Sequence, residues 1–452
     1  EKNFVADSTI EFFTFISDGY DDILDSICFL RGGKHESTDT IYASNIVDRI
    51  SAIHPYPVIR HHFGVPSLKE TEEGIRHIAE SKVLDVISLG PDQNAQQFFF
   101  DQSHMNSQFD GAGGVPFRTE EDLLRLKAAS KRGNYPLMRC YSGTANVFQY
   151  AEMLQRTINN AWAAIPLFWY NELDGRGPRT LETSLREALA LIGWYAEKNI
   201  PVEINEPHHW GLRDAHDVIQ VAAAYISAYN AKRLGVKDYI AQYMYNIPAG
   251  DSFSMDFARV LAMMEMVESL QDRTFRTYRE ARTGLPLLHP DPDIAKGDLA
   301  ASTFMQMAIH PHIIHVVGYC EANHAAGDRD VIESCKIVRG VIRNTLGESF
   351  SIEKDAAILA RKQELIREVN YLLDFIRNKY SDRSDPLTDP VVLIDLVEKG
   401  YLDAVHIKKS NKFHGSLSTR IINGACRAYD TAGKEIMNEA MRLAKLEVRN
   451  NG

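Results

Sequence analysis

The sequence predicts an α/β protein built as a (β/α)8 TIM barrel, and three observations predict it. Short apolar runs recur from Pro57 onward, longer segments of helical periodicity follow them, and polar residues collect at the C-terminal ends of the runs. At 452 residues, with 44% hydrophobic and 25% charged residues, the chain has room for one barrel of about 250 residues and for extensions.

The strand candidates come in order: PVIRHHFG (Pro57 to Gly64), VLDVISLG (Val83 to Gly90), PLMRCYSG (Pro136 to Gly143), IPLFWYN (Ile165 to Asn171) and PVEINEP (Pro201 to Pro207). DYIAQYMYN (Asp238 to Asn246), TFRTYRE (Thr274 to Glu280) and IIHVVGY (Ile313 to Tyr319) complete the set, the seventh having the weakest pattern. Between them, Thr119 to Lys131, Thr180 to Lys198, Asp214 to Leu234 and Ser254 to Leu270 space apolar residues as barrel helices do. Eight alternating units favour a closed barrel over an open sheet. Punctuation divides the chain into an N-terminal extension (1–56), the barrel (57–345), a helical connection (346–380) and a small C-terminal capping module (381–452).

A net charge of -11 and a pI near 5.8 argue against a phosphate-backbone surface, so nucleic acid is not an expected partner. The five cysteines lie far apart with no C-x-x-C pair, which fits a reducing cytoplasm. Glu1 to Ile10 has no signal-peptide pattern, and no run reaches the ~18 apolar residues of a membrane span. A cytoplasmic protein without membrane contact is expected.

Barrel enzymes carry their reactive groups at the C-terminal strand ends. Here those ends read Arg60-His61-His62, Asp92-Gln93-Asn94, Arg139-Cys-Tyr141-Ser142, Tyr170-Asn171-Glu172, Asn205-Glu206-Pro-His208-His209, Gln242-Tyr243 and Glu321-Ala-Asn323-His324. Such a wreath suits a small polar substrate with amine or carboxylate groups. His61, His62, His208, His209 and His324 raise a metal reading, but adjacent strand histidines face opposite ways and no H-x-x-x-H motif supports one. No protein-bound metal is expected. Asp110-Gly-Ala-Gly-Gly114 reads equally as a phosphate cradle or as a tight turn before the helix start at Thr119-Glu-Glu-Asp122. No G-x-S-x-G elbow follows a strand, and Glu172, Glu206 and Glu321 suit acid–base work or loop anchoring alike.

The order of these motifs resembles the barrel subunits of adenosylcobalamin-dependent mutases, namely the large subunit of glutamate mutase and the alpha subunit of lysine 5,6-aminomutase. FDGAGGVPFRTEEDL and RCYSG are similar to the aminomutase, and TLETSLREALALIGWYAEKNIPVEINEP to glutamate mutase. HIIHVVGYCEANHAAGDRD resembles the eighth-strand region of both, and DPVVLIDLVEKGYLDAVHIKKSN with RIINGACRAYD resembles the glutamate mutase tail.

The resemblance implies a radical 1,2-rearrangement that uses adenosylcobalamin. It implies that Glu321 holds the adenosyl ribose, that Arg139 holds a substrate carboxylate and that Tyr170 contacts substrate, with the loop at Asp251 and Ser252 under the corrin. His209 joins Glu321 and Tyr170 as a catalytic candidate. The strand-end wreath completes the set, with Tyr141, His62, Gln93, Asn205 and Glu206 for substrate and His324 and Gln242 for cofactor.

His62 and Asp92-Gln93-Asn94 stand where glutamate mutase has two further arginines, which tells against a dicarboxylate substrate. Pyridoxal phosphate has no matching ligands, since the fourth-strand region reads AAIPLFW. The D-x-H-x-x-G motif that supplies a histidine to cobalt is missing: Asp214-Ala-His216 lacks the glycine. A separate cobalamin-binding subunit carrying that motif, hence a hetero-oligomer, is the expected partner. The alternatives are the substrate-side barrel of a corrinoid-dependent methyltransferase and a non-catalytic assembly protein on a mutase-like barrel.

Overall fold

The computed structural model describes residues 43–348, 351–409, 412–413 and 415–451. Eight parallel strands follow in chain order: β1 Val58–Phe63, β2 Val86–Leu89, β3 Leu137–Cys140, β4 Ala163–Ile165, β5 Val202–Ile204, β6 Asp238–Tyr245, β7 Arg276–Thr283 and β8 Ile313–Val316. They pair in the order β3-β2-β1-β8-β7-β6-β5-β4, so the first and last barrel strands are neighbours. The seam between β3 and β4 closes without a ladder: Ala161 N donates to Met138 O at 2.9 Å and Cys140 N to Asn160 Oδ1 at 2.8 Å. The fold is the (β/α)8 barrel that the alternating pattern predicts.

Most strands are one to three residues shorter at an end than the sequence reading, and β4 and β7 are displaced. β4 is Ala163–Ile165, so the expected run Ile165 to Asn171 meets it at a single residue: Pro166 has no N–H for a ladder and ends the strand. The amides of Leu167 and Phe168 turn instead onto the carboxylate of Glu206, at 2.5 and 2.9 Å. β7 runs on to Thr283, past the expected end at Glu280.

The helices start where capping chemistry places them. Thr119 accepts from the amide of Asp122 at 3.2 Å, and the Asp122 carboxylate accepts from the amide of Thr119 at 2.9 Å. Helix Asp217–Arg233 is buried on nearly every side, since helix Ala356–Lys379 lies across it and across helix Phe253–Glu268. Arg361 reaches Asp217 at 2.7 Å and Lys362 reaches Glu265 at 2.6 Å, which fastens this third layer.

The C-terminal module comprises helix Pro390–Glu398, strands β9 Thr419–Ile422, β10 Ala425–Asp430 and β11 Glu435–Ile436, and helix Glu439–Asn451. Asn423 and Gly424, both left-handed at φ 51° and 76°, make the β9–β10 turn. That turn sits on the loop after β6, where Ser252 N donates to Gly424 O at 2.8 Å.

Candidate active site

The barrel interior departs from the usual layers of branched apolar side chains. Strand alternation turns Arg60, Ser88, Arg139, Glu203, Gln242, Glu280 and His315 inward, and all are buried. Arg60 pairs with Glu280, donates to Ser88 Oγ at 2.7 Å and has its second terminal nitrogen 2.7 Å from His315 Nδ1. Arg139 donates to Glu203 Oε2 at 2.7 Å, and Trp162 Nε1 donates to the same oxygen at 2.8 Å. The other Glu203 oxygen accepts from Asn205 and, at 2.9 Å, from Gln242. Two guanidinium groups thus face two carboxylates and lean on the Trp162 indole, 5.6 and 4.9 Å from its ring centre. This floor is neutral and closed.

One step toward the C-terminal ends of the strands lies the mouth. Arg282 follows Glu280 on the inward register of β7, and His62 follows Arg60 on β1. His62 stacks on Tyr141 with centroids 5.5 Å apart and lies 4.8 Å from the ring of His315. His208 and His209, on the short helix Glu206–Gly211, have centroids 4.5 Å apart, and Tyr170 lies 5.3 Å from His209.

Among the described residues Arg282 has no ion-pair or hydrogen-bond partner, and its Nε is buried without one. The guanidinium is half-buried, and its charge acts on His61, His62, His208, His209 and His315. Burial above all, and the arginine charges after it, hold His62, His208, His209 and His315 well below the ordinary imidazole range. The mouth therefore presents Arg282, half-buried and without an ion-pair partner among the described residues, beside neutral imidazoles, while the exposed Arg176 lies over the Tyr170 ring, 5.3 Å from its centre.

The structure pairs His62 with Tyr141 and His209 with Tyr170, and both histidines feel the charge of Arg282, which the sequence reading did not single out. It places other candidates elsewhere. Arg139, expected to hold a substrate carboxylate, is fully buried in the floor and already paired with Glu203. Asn205 and Gln242 are likewise committed to Glu203. Glu206 is a loop anchor: it holds two amides of the β4 loop and the Trp210 indole at 2.9 Å, and burial raises its carboxyl to about 7. Gln93 begins a helical turn with its side chain exposed, while its neighbour Asp92 binds Arg118 at 2.6 Å.

Of the cofactor candidates, Glu321 is partly exposed and caps its own turn, accepting from Gly318 N at 2.8 Å through Oε1. That cap takes one oxygen and leaves at most the other for a ligand hydroxyl. His324 is exposed beside it. Asp251 does not fit, since its side chain is buried in a cluster with Arg259, Asp256 and Asp217. Ser252 caps helix Phe253–Glu268 beneath the C-terminal hairpin. His216 is buried against Glu439 at 3.2 Å, which leaves it no access to a cofactor.

No protein-family model matches the chain, and no curated protein matches it. Among solved structures it is similar to tryptophan synthase from Mycobacterium tuberculosis, at 13% identity and TM-score 0.37 over 66% of this chain and 96% of that one. It is also similar to type I 3-dehydroquinate dehydratase from Clostridium difficile, at 9% identity and TM-score 0.25 over 58% and 76%. Neither says what this chain acts on. No helix of the described residues is long and apolar enough to cross a membrane.

Proposed function

We propose that this chain is the catalytic barrel of an enzyme that binds a small anionic substrate at Arg282 and isomerises it with a separate corrinoid-bearing subunit. The observation that carries the reading is the unpartnered guanidinium at the mouth. Because the floor balances its own charges, Arg282 is the half-buried cation left over for a ligand, Arg176 being exposed to solvent over Tyr170. A planar guanidinium suits a carboxylate or phosphate, which it can meet with two parallel hydrogen bonds.

The surrounding groups narrow the chemistry. Neutral imidazoles at His62, His208 and His209 accept or donate hydrogen bonds without repelling an amine. The hydroxyls of Tyr141 and Tyr170, packed against His62 and His209, add donors. A half-buried guanidinium with several neutral polar partners suits an amino, hydroxy or thioester acid with one anionic group held at Arg282.

The isomerase part of the proposal rests on the motif resemblance, with the remaining oxygen of Glu321 offered to a ribose hydroxyl. Adenosylcobalamin, when bound, supplies the radical that takes a hydrogen from the substrate. The chain's own part is to fix the anionic end at Arg282, to hold polar groups at the neutral imidazoles and to shield the mouth from water. With His216 buried, the lower ligand to cobalt falls to a D-x-H-x-x-G partner.

Reconstitution tests this reading. The chain, a D-x-H-x-x-G subunit and adenosylcobalamin are mixed, and amino acids, hydroxy acids and acyl thioesters are screened by stopped-flow absorbance for cob(II)alamin. One anionic compound should give the signal, and Arg282→Gln should lose it. Silence with every compound, while anions still bind at Arg282, would discard the isomerase and keep the anion-binding barrel.

A further inference from the structure

The geometry points to a zinc-class metal site formed by Cys320, His324 and Asp330 on the loop after β8, apart from the mouth cation. Cys320 lies in the 3₁₀ turn Tyr319–Ala322, His324 just beyond it, and Asp330 in the first turn of helix Asp328–Thr345. Their ligand atoms all lie within 4.8 Å of one another. Among the described residues no other three histidine, cysteine or acidic side chains converge in this way, and the mouth histidines do not.

The backbone explains the convergence. The amides of Asn323 and His324 both donate to the carbonyl of Cys320, at 2.7 and 2.8 Å, so the turn curls back and brings the imidazole toward the thiol. Asp330 is held by the amide of Gly327 at 2.9 Å and stands 3.4 Å from His324 Nε2. Cys320 is buried, and its sulfur faces the carboxylates of Asp330 and Glu321. A soft thiolate, an imidazole and a carboxylate together suit zinc rather than magnesium or calcium, which prefer all-oxygen sites.

Binding exchanges the thiol proton, released to water, for a sulfur–metal bond. Three protein ligands leave a fourth position for water on the exposed side of His324. The metal would rivet the loop that carries Glu321 to the helix behind it. It would also take His324 away from any cofactor. This inference stands independently of the isomerase reading.

The test uses the full, tag-free chain, stripped with a chelator and titrated with Co²⁺ as a spectroscopic stand-in, then with Zn²⁺ as competitor. One cobalt per chain should bind with a thiolate-to-metal charge-transfer band, and zinc should displace it. Cys320→Ser should abolish the band. His324→Gln, at an exposed position whose change leaves the fold intact, should weaken binding by about tenfold or more. Absence of the sulfur band, or unchanged affinity in His324→Gln, would overturn the site.

Discussion

Two arginines on inward strand positions have opposite fates, and the difference lies in their partners. Arg139 meets Glu203 at 2.7 Å in a sealed floor, whereas Arg282 meets no carboxylate. Arg139→Gln should therefore destabilise the protein by about 3–5 kcal/mol, because it strands a buried carboxylate. Arg282→Gln should cost no stability, since it removes a charge that nothing balances. Urea unfolding of the two variants measures both, and equal losses would contradict the account. The sequence shows that both residues are arginines near strand ends, but not which one finds a partner. Glu203 reaches Arg139 from a strand far along the chain, a pairing with no local signal. Arg282 was missed for a related reason: with charged residues on its inward face, β7 lacks the apolar alternation that marks a strand.

At the scale of elements, the helices were legible because caps and apolar spacing are local. Thr180 to Lys198 was expected and Leu181–Glu197 is found; Ser254 to Leu270 was expected and Phe253–Glu268 is found. The β6 loop, expected beneath a corrin, is instead pinned under the C-terminal hairpin. That packing shows only in three dimensions, since Gly424, which accepts from the Ser252 amide, and Asp217, which joins Asp251 and Asp256 on Arg259, both come from remote stretches of chain. The seat of the hairpin can be tested at its turn. Gly424 is left-handed, and a Cβ there would run into the Ser252 side chain. Gly175 is also left-handed, at φ +68°, but opens onto space. Gly175→Ala should cost about 1 kcal/mol of conformational strain, and Gly424→Ala clearly more, by urea midpoint. Equal costs would mean that the hairpin does not rest on Ser252.

Over the whole molecule, the barrel was readable because eight strand–helix units repeat one theme, while the charged interior was not, because periodicity records burial rather than charge. That interior has a consequence for pH. His62, His208, His209 and His315 have pKa values well below the 6.5 of a free imidazole, chiefly through burial, so the unfolded chain binds protons more readily than the folded one. Their contribution to stability is complete above about 6.5 and is lost as pH falls below it, at up to about 1.4 kcal/mol per pH unit for each histidine. The urea midpoint should fall between about pH 7.5 and about pH 5.5, and less steeply in a His208→Gln, His209→Gln double variant. An equally steep fall in that variant would contradict the buried, neutral mouth.

The central claim is that Arg282 is the cation this barrel offers to a ligand, and calorimetric titration of the chain with small carboxylates and inorganic phosphate tests it most directly. The parent should bind at least one of these anions. Arg282→Gln should weaken that binding by about 30-fold or more, the loss expected of a charge-assisted bidentate contact in a desolvated pocket. Arg282→Lys should recover only part, since an ammonium keeps the charge but lacks the planar fork. Equal binding by the parent and Arg282→Gln, or no anion bound by either, would contradict the claim.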